Sequence, residues 1–81
     1  MTRLPRNLSG SELIAALKRI GYQISRQTGS HIRLSCEYPE LHHITVPNHD
    51  PLRIGTLAAI LADVARHHGL SRDALLEKLF S

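Results

Sequence analysis

Residues 22–47, YQISRQTGSHIRLSCEYPELHHITVP, decide the fold. Three times in this stretch apolar side chains alternate with polar ones, and turn-forming residues break each alternation, which is the pattern of three short strands buried on one side. Tyr22 and Ile24 take one face of the first run and Gln23, Ser25 and Gln27 the other. Thr28-Gly29 can turn the chain, after which Ile32, Leu34 and Cys36 alternate with His31, Arg33 and Ser35. Glu37 to Leu41, with Pro39, reads as a loop; His42 to Val46 then sets Ile44 and Val46 inward and His43 and Thr45 outward until Pro47 ends the run. Connections this tight require antiparallel pairing, so the sheet has one apolar and one polar face. The polar face should carry Gln23, Ser25, Gln27, His31, Arg33, His43 and Thr45. A one-residue slip would turn a strand over and exchange its faces.

Helical signals flank the strands on both sides. Ser9 and Glu12 have capping-box spacing, Leu13, Leu17 and Ile20 recur on one stripe, and Gly21 suits the position after a helix, predicting a helix over about 10–20. After a loop from Asn48 to Arg53, Leu57, Ile60, Leu61 and Val64 mark a second helix that Gly69 closes. Ser71 can cap a short third helix whose apolar side is Leu75, Leu76, Leu79 and Phe80. Residues 1–8 read as a loose arm. The expected order is αβββαα, an α+β fold of two layers in one domain over residues 1–81, with both main helices on the apolar face and the polar face open.

Length limits what such a chain can do. With 81 residues it buries only about 60% of the surface exposed by its unfolded form, which excludes a doubly wound nucleotide-binding fold. Cys36 is the sole cysteine, so neither an internal disulfide nor a cysteine-based metal cage can form, and a reducing compartment suits it. The first ten residues lack the apolar region of a signal peptide, and Leu57 to Ala62 is far shorter than the ~18 residues of a membrane span. A soluble cytoplasmic protein without a membrane partner is therefore expected. Charge is uneven along the chain: residues 1–36 hold Arg3, Arg6, Lys18, Arg19, Arg26 and Arg33 against Glu12 alone, whereas residues 37–81 hold four basic and six acidic residues. Such asymmetry suits a polyanion on the N-terminal surface, and arginine, eight of the ten basic residues, suits bidentate contact with phosphate.

Histidine carries the remaining chemistry. The six are His31, His42, His43, His49, His67 and His68, each able to exchange a proton near neutrality. His67 and His68, at a helix C-terminus, fit a structural role beside the dipole. Cys36, His42, His43 and His49 could be drawn as a zinc set, although C-x5-H-H-x5-H matches no compact ligand spacing. His31 follows Gly29-Ser30 and points to the polar face two residues before Arg33, so a proton-transfer group and a phosphate-binding cation would be neighbours. An ordinary exposed strand histidine is the bland alternative.

The succession Gly21-Tyr22, Arg26-Gln27-Thr28-Gly29-Ser30-His31, Ile44-Thr45-Val46-Pro47-Asn48-His49 and Gly55-Thr56-Leu57 through Ile60-Leu61 resembles the HicA family of toxin ribonucleases, over about residues 9–70. The resemblance implies an αβββα fold like that of double-stranded-RNA-binding domains, cleavage of messenger RNA without a metal or other cofactor, and neutralisation by a HicB-like antitoxin protein. It also implies that the histidine of the G-S-H element, here His31, is catalytic. Minimal family members end soon after the G-T-L helix, whereas here Ala62 to His68 prolong it and Leu70 to Ser81 add another element.

Three functions follow from these features. In the first, a ribonuclease, His31 is general base or acid, Arg26 and Arg33 hold phosphate, and Gly29, with Ser30, lets RNA backbone approach closely. The second is a non-catalytic RNA-binding module of the same fold, since such sheets bind duplex RNA by shape. The third, compatible with the first, uses the Leu75 to Phe80 stripe to dock a partner or to form a homo-oligomer through the C-terminal helix.

Overall fold

The computed structural model describes residues 4–80. Its elements are α1 (Gly10–Lys18), β1 (Gln23–Thr28), β2 (His31–Cys36), β3 (His42–Pro47), α2 (Ile54–His68) and α3 (Arg72–Phe80). The capping box at α1 is complete: the Glu12 N–H donates to Ser9 Oγ and the Ser9 N–H donates to Glu12 Oε1, both at 3.0 Å. Leu13, Ile14, Ala16 and Leu17 bury one side of the helix, and Gly21 continues the chain at a φ of 107°. Gly69 ends α2 in the left-handed region, and Ser71 Oγ accepts the Ala74 N–H at 3.1 Å at the start of α3.

The strands form one antiparallel sheet in the order β1-β2-β3. Ile32, Leu34, Cys36, Ile44 and Val46 are buried on the helix-covered face, while the opposite face of β2 and β3 is open. The architecture is thus the expected α+β fold, consistent with a double-stranded-RNA-binding-domain-like arrangement and carrying an additional C-terminal helix.

One strand departs from the alternation read in the sequence. Ile24 pairs with Leu34, but Arg26 pairs with Arg33, leaving Ser25 as a bulge whose Oγ donates to the Arg33 carbonyl at 3.3 Å. The inserted residue reverses the faces beyond it. Gln27, expected on the polar face, lies opposite Ile32 on the helix-facing side, and Arg26 joins Arg33 on the open side. Ile24 remains 45% exposed because β1 is an edge strand.

The C-terminal helix forms as expected, and of the two fates open to its apolar side, docking a partner or packing on its own domain, the structure shows the second. Leu75 and Leu79 are fully buried and Leu76 nearly so, in one cluster with Leu13, Leu17, Leu57 and Leu61. Arg19 Nη1 donates to the Leu79 carbonyl at 3.2 Å, tying the end of α1 to α3. The stripe read as a docking or homo-oligomer surface is therefore core; Phe80, 38% exposed, is its only exposed member. Of the N-terminal stretch read as a loose arm, residues 1–3 lie outside the described residues. Leu4 and Leu8 pack half-buried on the core, and the Leu8 carbonyl accepts the Leu52 N–H at 2.7 Å. Among the described residues, no helix is long and apolar enough to cross a membrane.

Candidate active site

The site starts from a hairpin. Thr28 and His31 face each other across β1 and β2, so Gly29-Ser30 is a two-residue loop. Gly29 has a φ of 57° and Ser30 does not share the positive sign, the arrangement that places glycine first in a hairpin turn. The Ser30 carbonyl accepts the Asn48 N–H at 2.6 Å, which fastens the turn to the end of β3. His31 therefore begins β2 directly beside Pro47.

Register then determines which groups share the open face. Arg26 and Thr45 flank Arg33 in one row across the three strands, and Thr28 and Pro47 flank His31 in the next row on that face. His31, Arg33 and Arg26 are all exposed, as are Gly29 and Ser30 at the edge of the face. No strand residue is acidic, so the two guanidinium groups lie on a face without a strand carboxylate. Among the described residues, none hydrogen-bonds or ion-pairs with the imidazole of His31. The five residues singled out in the sequence thus lie on one surface, and the β1 bulge is what brings Arg26 there.

Two residues that the sequence reading did not assign to the His31 site, His49 and Arg53, lie beside it. A hollow of about 270 Å³ is lined by His31, Pro47, His49, Leu52, Arg53 and Thr56. His49 and Arg53 share this hollow with His31 because β3 ends beside His31 and the loop after it is pinned to the β1–β2 turn through Asn48 and Ser30. Only the G-S-H-like and P-x-H-like elements, taken as a pair, could have signalled this. A second groove, about 490 Å³, runs from Arg33, His43 and Thr45 over the β3 edge to Ala59, Ile60 and Asp63 of α2.

The other histidines serve a different part of the fold. Cys36, His42, His43 and His49 do not converge: Cys36 is buried, His42 shares its inner row, His43 lies on the open face, and His49 is beyond the opposite end of β3. Among the described residues no cluster of His, Cys, Asp or Glu is arranged to hold a metal ion. His42 Nδ1 instead lies 2.7 Å from the hydroxyl of fully buried Tyr22, and His68 Nε2 lies 3.2 Å from the same oxygen. His42 Nε2 is 3.3 Å from Asp63 Oδ1, and the rings of His42 and His67 stack at 4.1 Å. Burial pushes the Tyr22 phenol well above its ordinary value, with Cys36 and Asp63 adding to the rise.

His68 is held below the ordinary histidine value, mainly by burial and then by His67, His42 and Lys78. Its unfolded form consequently binds a proton where the native form does not. The stability this contributes is present above the unfolded value of about 6.5 and is lost as pH falls below it. Urea titrations below that pH should show declining stability, and His68→Gln should flatten the decline. An unchanged slope would exclude His68 as its source.

A search of curated proteins gave no match, and a search of solved structures gave none. A family model described as the HicA toxin of bacterial toxin–antitoxin systems matches residues 10–69, from the first residue of α1 to the glycine that closes α2. That span contains the hairpin, the arginine row and the hollow beside His31, and it shows that the chain belongs to the HicA toxin family.

Proposed function

We propose that this toxin is an endoribonuclease acting on messenger RNA. The observation that carries this reading is the placement of His31 beside Arg33 and Arg26 on an open sheet face without strand carboxylates. Ribose supplies its own nucleophile, because the 2′-OH already lies next to the phosphorus, so positioning and proton transfer account for much of the rate. His31 takes the 2′-OH proton as the new P–O2′ bond forms and the P–O5′ bond breaks; the products are a 2′,3′-cyclic phosphate and a 5′-OH. Arg26 and Arg33 hold phosphate, and the Gly29-Ser30 turn lets the RNA backbone approach closely. This chemistry requires no metal or other cofactor. Incubating the pure protein with end-labelled RNA in EDTA tests the reading, and products with those ends are expected. Intact RNA, bound but uncut, would instead favour the RNA-binding module.

Membership in the family implies a cognate antitoxin. A HicB-like partner with an acidic surface is the complement that a basic, open face selects, and opposite charge would speed capture of newly made toxin. Arg26→Glu and Arg33→Glu should each weaken RNA and antitoxin binding in parallel, and added salt should slow both associations. The check is RNA competition on the co-purified pair, with rates followed at two salt concentrations. A stable ternary complex that still cleaves RNA would place the antitoxin elsewhere.

A further inference from the structure

His31 leaves half of the proton traffic unassigned. Breaking the P–O5′ bond expels an alkoxide, which leaves readily only when a proton reaches it, and the same imidazole has just taken a proton at the 2′ oxygen. In-line displacement sets O2′ and O5′ on opposite sides of the phosphorus, so a second group within reach of the same phosphate is better placed than His31 to serve the departing oxygen. His49 lines the hollow that His31 lines, with Arg53 beside it.

The backbone around His49 is built to hold a position. The Gly10 N–H donates to the His49 carbonyl at 2.8 Å, the Asn48 N–H donates to the Ser30 carbonyl at 2.6 Å, and the Leu52 N–H donates to the Leu8 carbonyl at 2.7 Å. Leu52 is buried and anchors the loop below. Gly10 permits this docking because any side chain there would overlap the Pro47 carbonyl oxygen and press on Asn48. Yet the His49 side chain is exposed, and among the described residues none hydrogen-bonds or ion-pairs with its imidazole. A segment fastened to α1, to the β1–β2 turn and to the N-terminal stretch thus holds His49 at the hollow that His31 lines, while its other titratable group, the exposed Asp50, is not among the lining residues.

We infer that His49 is the second catalytic residue, the general acid that protonates the departing 5′ oxygen. This rests on the ribonuclease reading. One RNA phosphate bridges the hollow: His31 removes the 2′-OH proton, O2′ bonds to phosphorus, the P–O5′ bond breaks, and the Nε2–H or Nδ1–H of protonated His49 passes to O5′. One proton is gained at His31 and one is lost at His49, and exchange with water restores both. Arg53 meets the phosphate oxygens from the α2 side of the hollow, opposite the Arg26 and Arg33 row.

The test compares the parent, His49→Ala, His49→Gln and His31→Ala on two oligonucleotides. One is ordinary RNA; the other carries sulfur in place of the bridging 5′ oxygen at the mapped cleavage site. A thiolate departs without a proton, so a missing general acid no longer matters. Both His49 variants should cut ordinary RNA about 10²–10⁴-fold more slowly than the parent and lose the alkaline limb of its pH profile. On the sulfur substrate they should come within about tenfold of the parent, which also shows that they are folded. His31→Ala should stay slow on both substrates. Parent-like cutting of ordinary RNA by His49→Ala, failure of sulfur to rescue it, or rescue of His31→Ala instead would overturn the assignment. A parent protein that leaves both substrates intact would refute the ribonuclease reading itself, a distinct outcome.

Discussion

His31→Ala should slow RNA cleavage by about 10²–10⁴-fold, the usual contribution of one positioned proton-transfer group, and should relieve growth toxicity on expression. The fold should be nearly unaffected: His31 is exposed, its imidazole has no partner among the described residues, and substitutions at such positions change stability by about 0.5 kcal/mol or less. RNA binding should also survive, because Arg26 and Arg33 remain in their row. The measurement is single-turnover cleavage beside circular dichroism and RNA affinity on the same preparations. A variant that cuts at a rate close to the parent would remove His31 from the mechanism.

The second large effect concerns a part of the chain outside the family match. That match ends at residue 69, yet α3 supplies Leu75, Leu76 and Leu79 to the same core as α1 and α2. Buried Leu→Ala substitutions cost about 2–5 kcal/mol each. The whole stability of an 81-residue domain is of order 4–12 kcal/mol, so one such change is severe. Leu75→Ala and Leu79→Ala should therefore lower the urea midpoint sharply, and a chain ending at Gly69 should not fold cooperatively. Below its transition Leu79→Ala should still cut RNA, since the leucines lie on the other side of the sheet from His31. A truncated chain with the parent's midpoint would make α3 an appended docking element after all.

Much of this fold could be read from local chemistry. Ser9 with Glu12, the left-handed Gly69 and the alternation in β2 and β3 each reflect interactions within a few residues or along one strand. The first strand is different: an inserted residue such as Ser25 has no signature in a period of two, so strict alternation assigns Gln27 to the polar face, whereas the bulge turns it inward and brings Arg26 to the site. The apolar side of α3 was legible, but whether it met this core or another molecule depends on tertiary packing. Likewise His31 stood out because a glycine turn and an arginine flank it, whereas His49 lies in a loop whose path is set by bonds to Ser30, Leu8 and Gly10. Tyr22 read as a plain apolar strand residue, and its hydroxyl partners His42 and His68 come from distant elements. Contacts between elements were the part that periodicity could not supply.

In the proposed reaction the RNA's own 2′-OH attacks its phosphate at the open sheet face. The most direct measurement places a single 2′-deoxynucleotide immediately 5′ of the mapped scissile phosphate and follows cleavage in EDTA. Loss of cutting at that bond, with parent-like binding of the oligonucleotide and undiminished cutting at other sites, is the predicted result. Continued cutting at the deoxy position, leaving a simple phosphate end, would mean that water is the nucleophile and would contradict the mechanism assigned to His31.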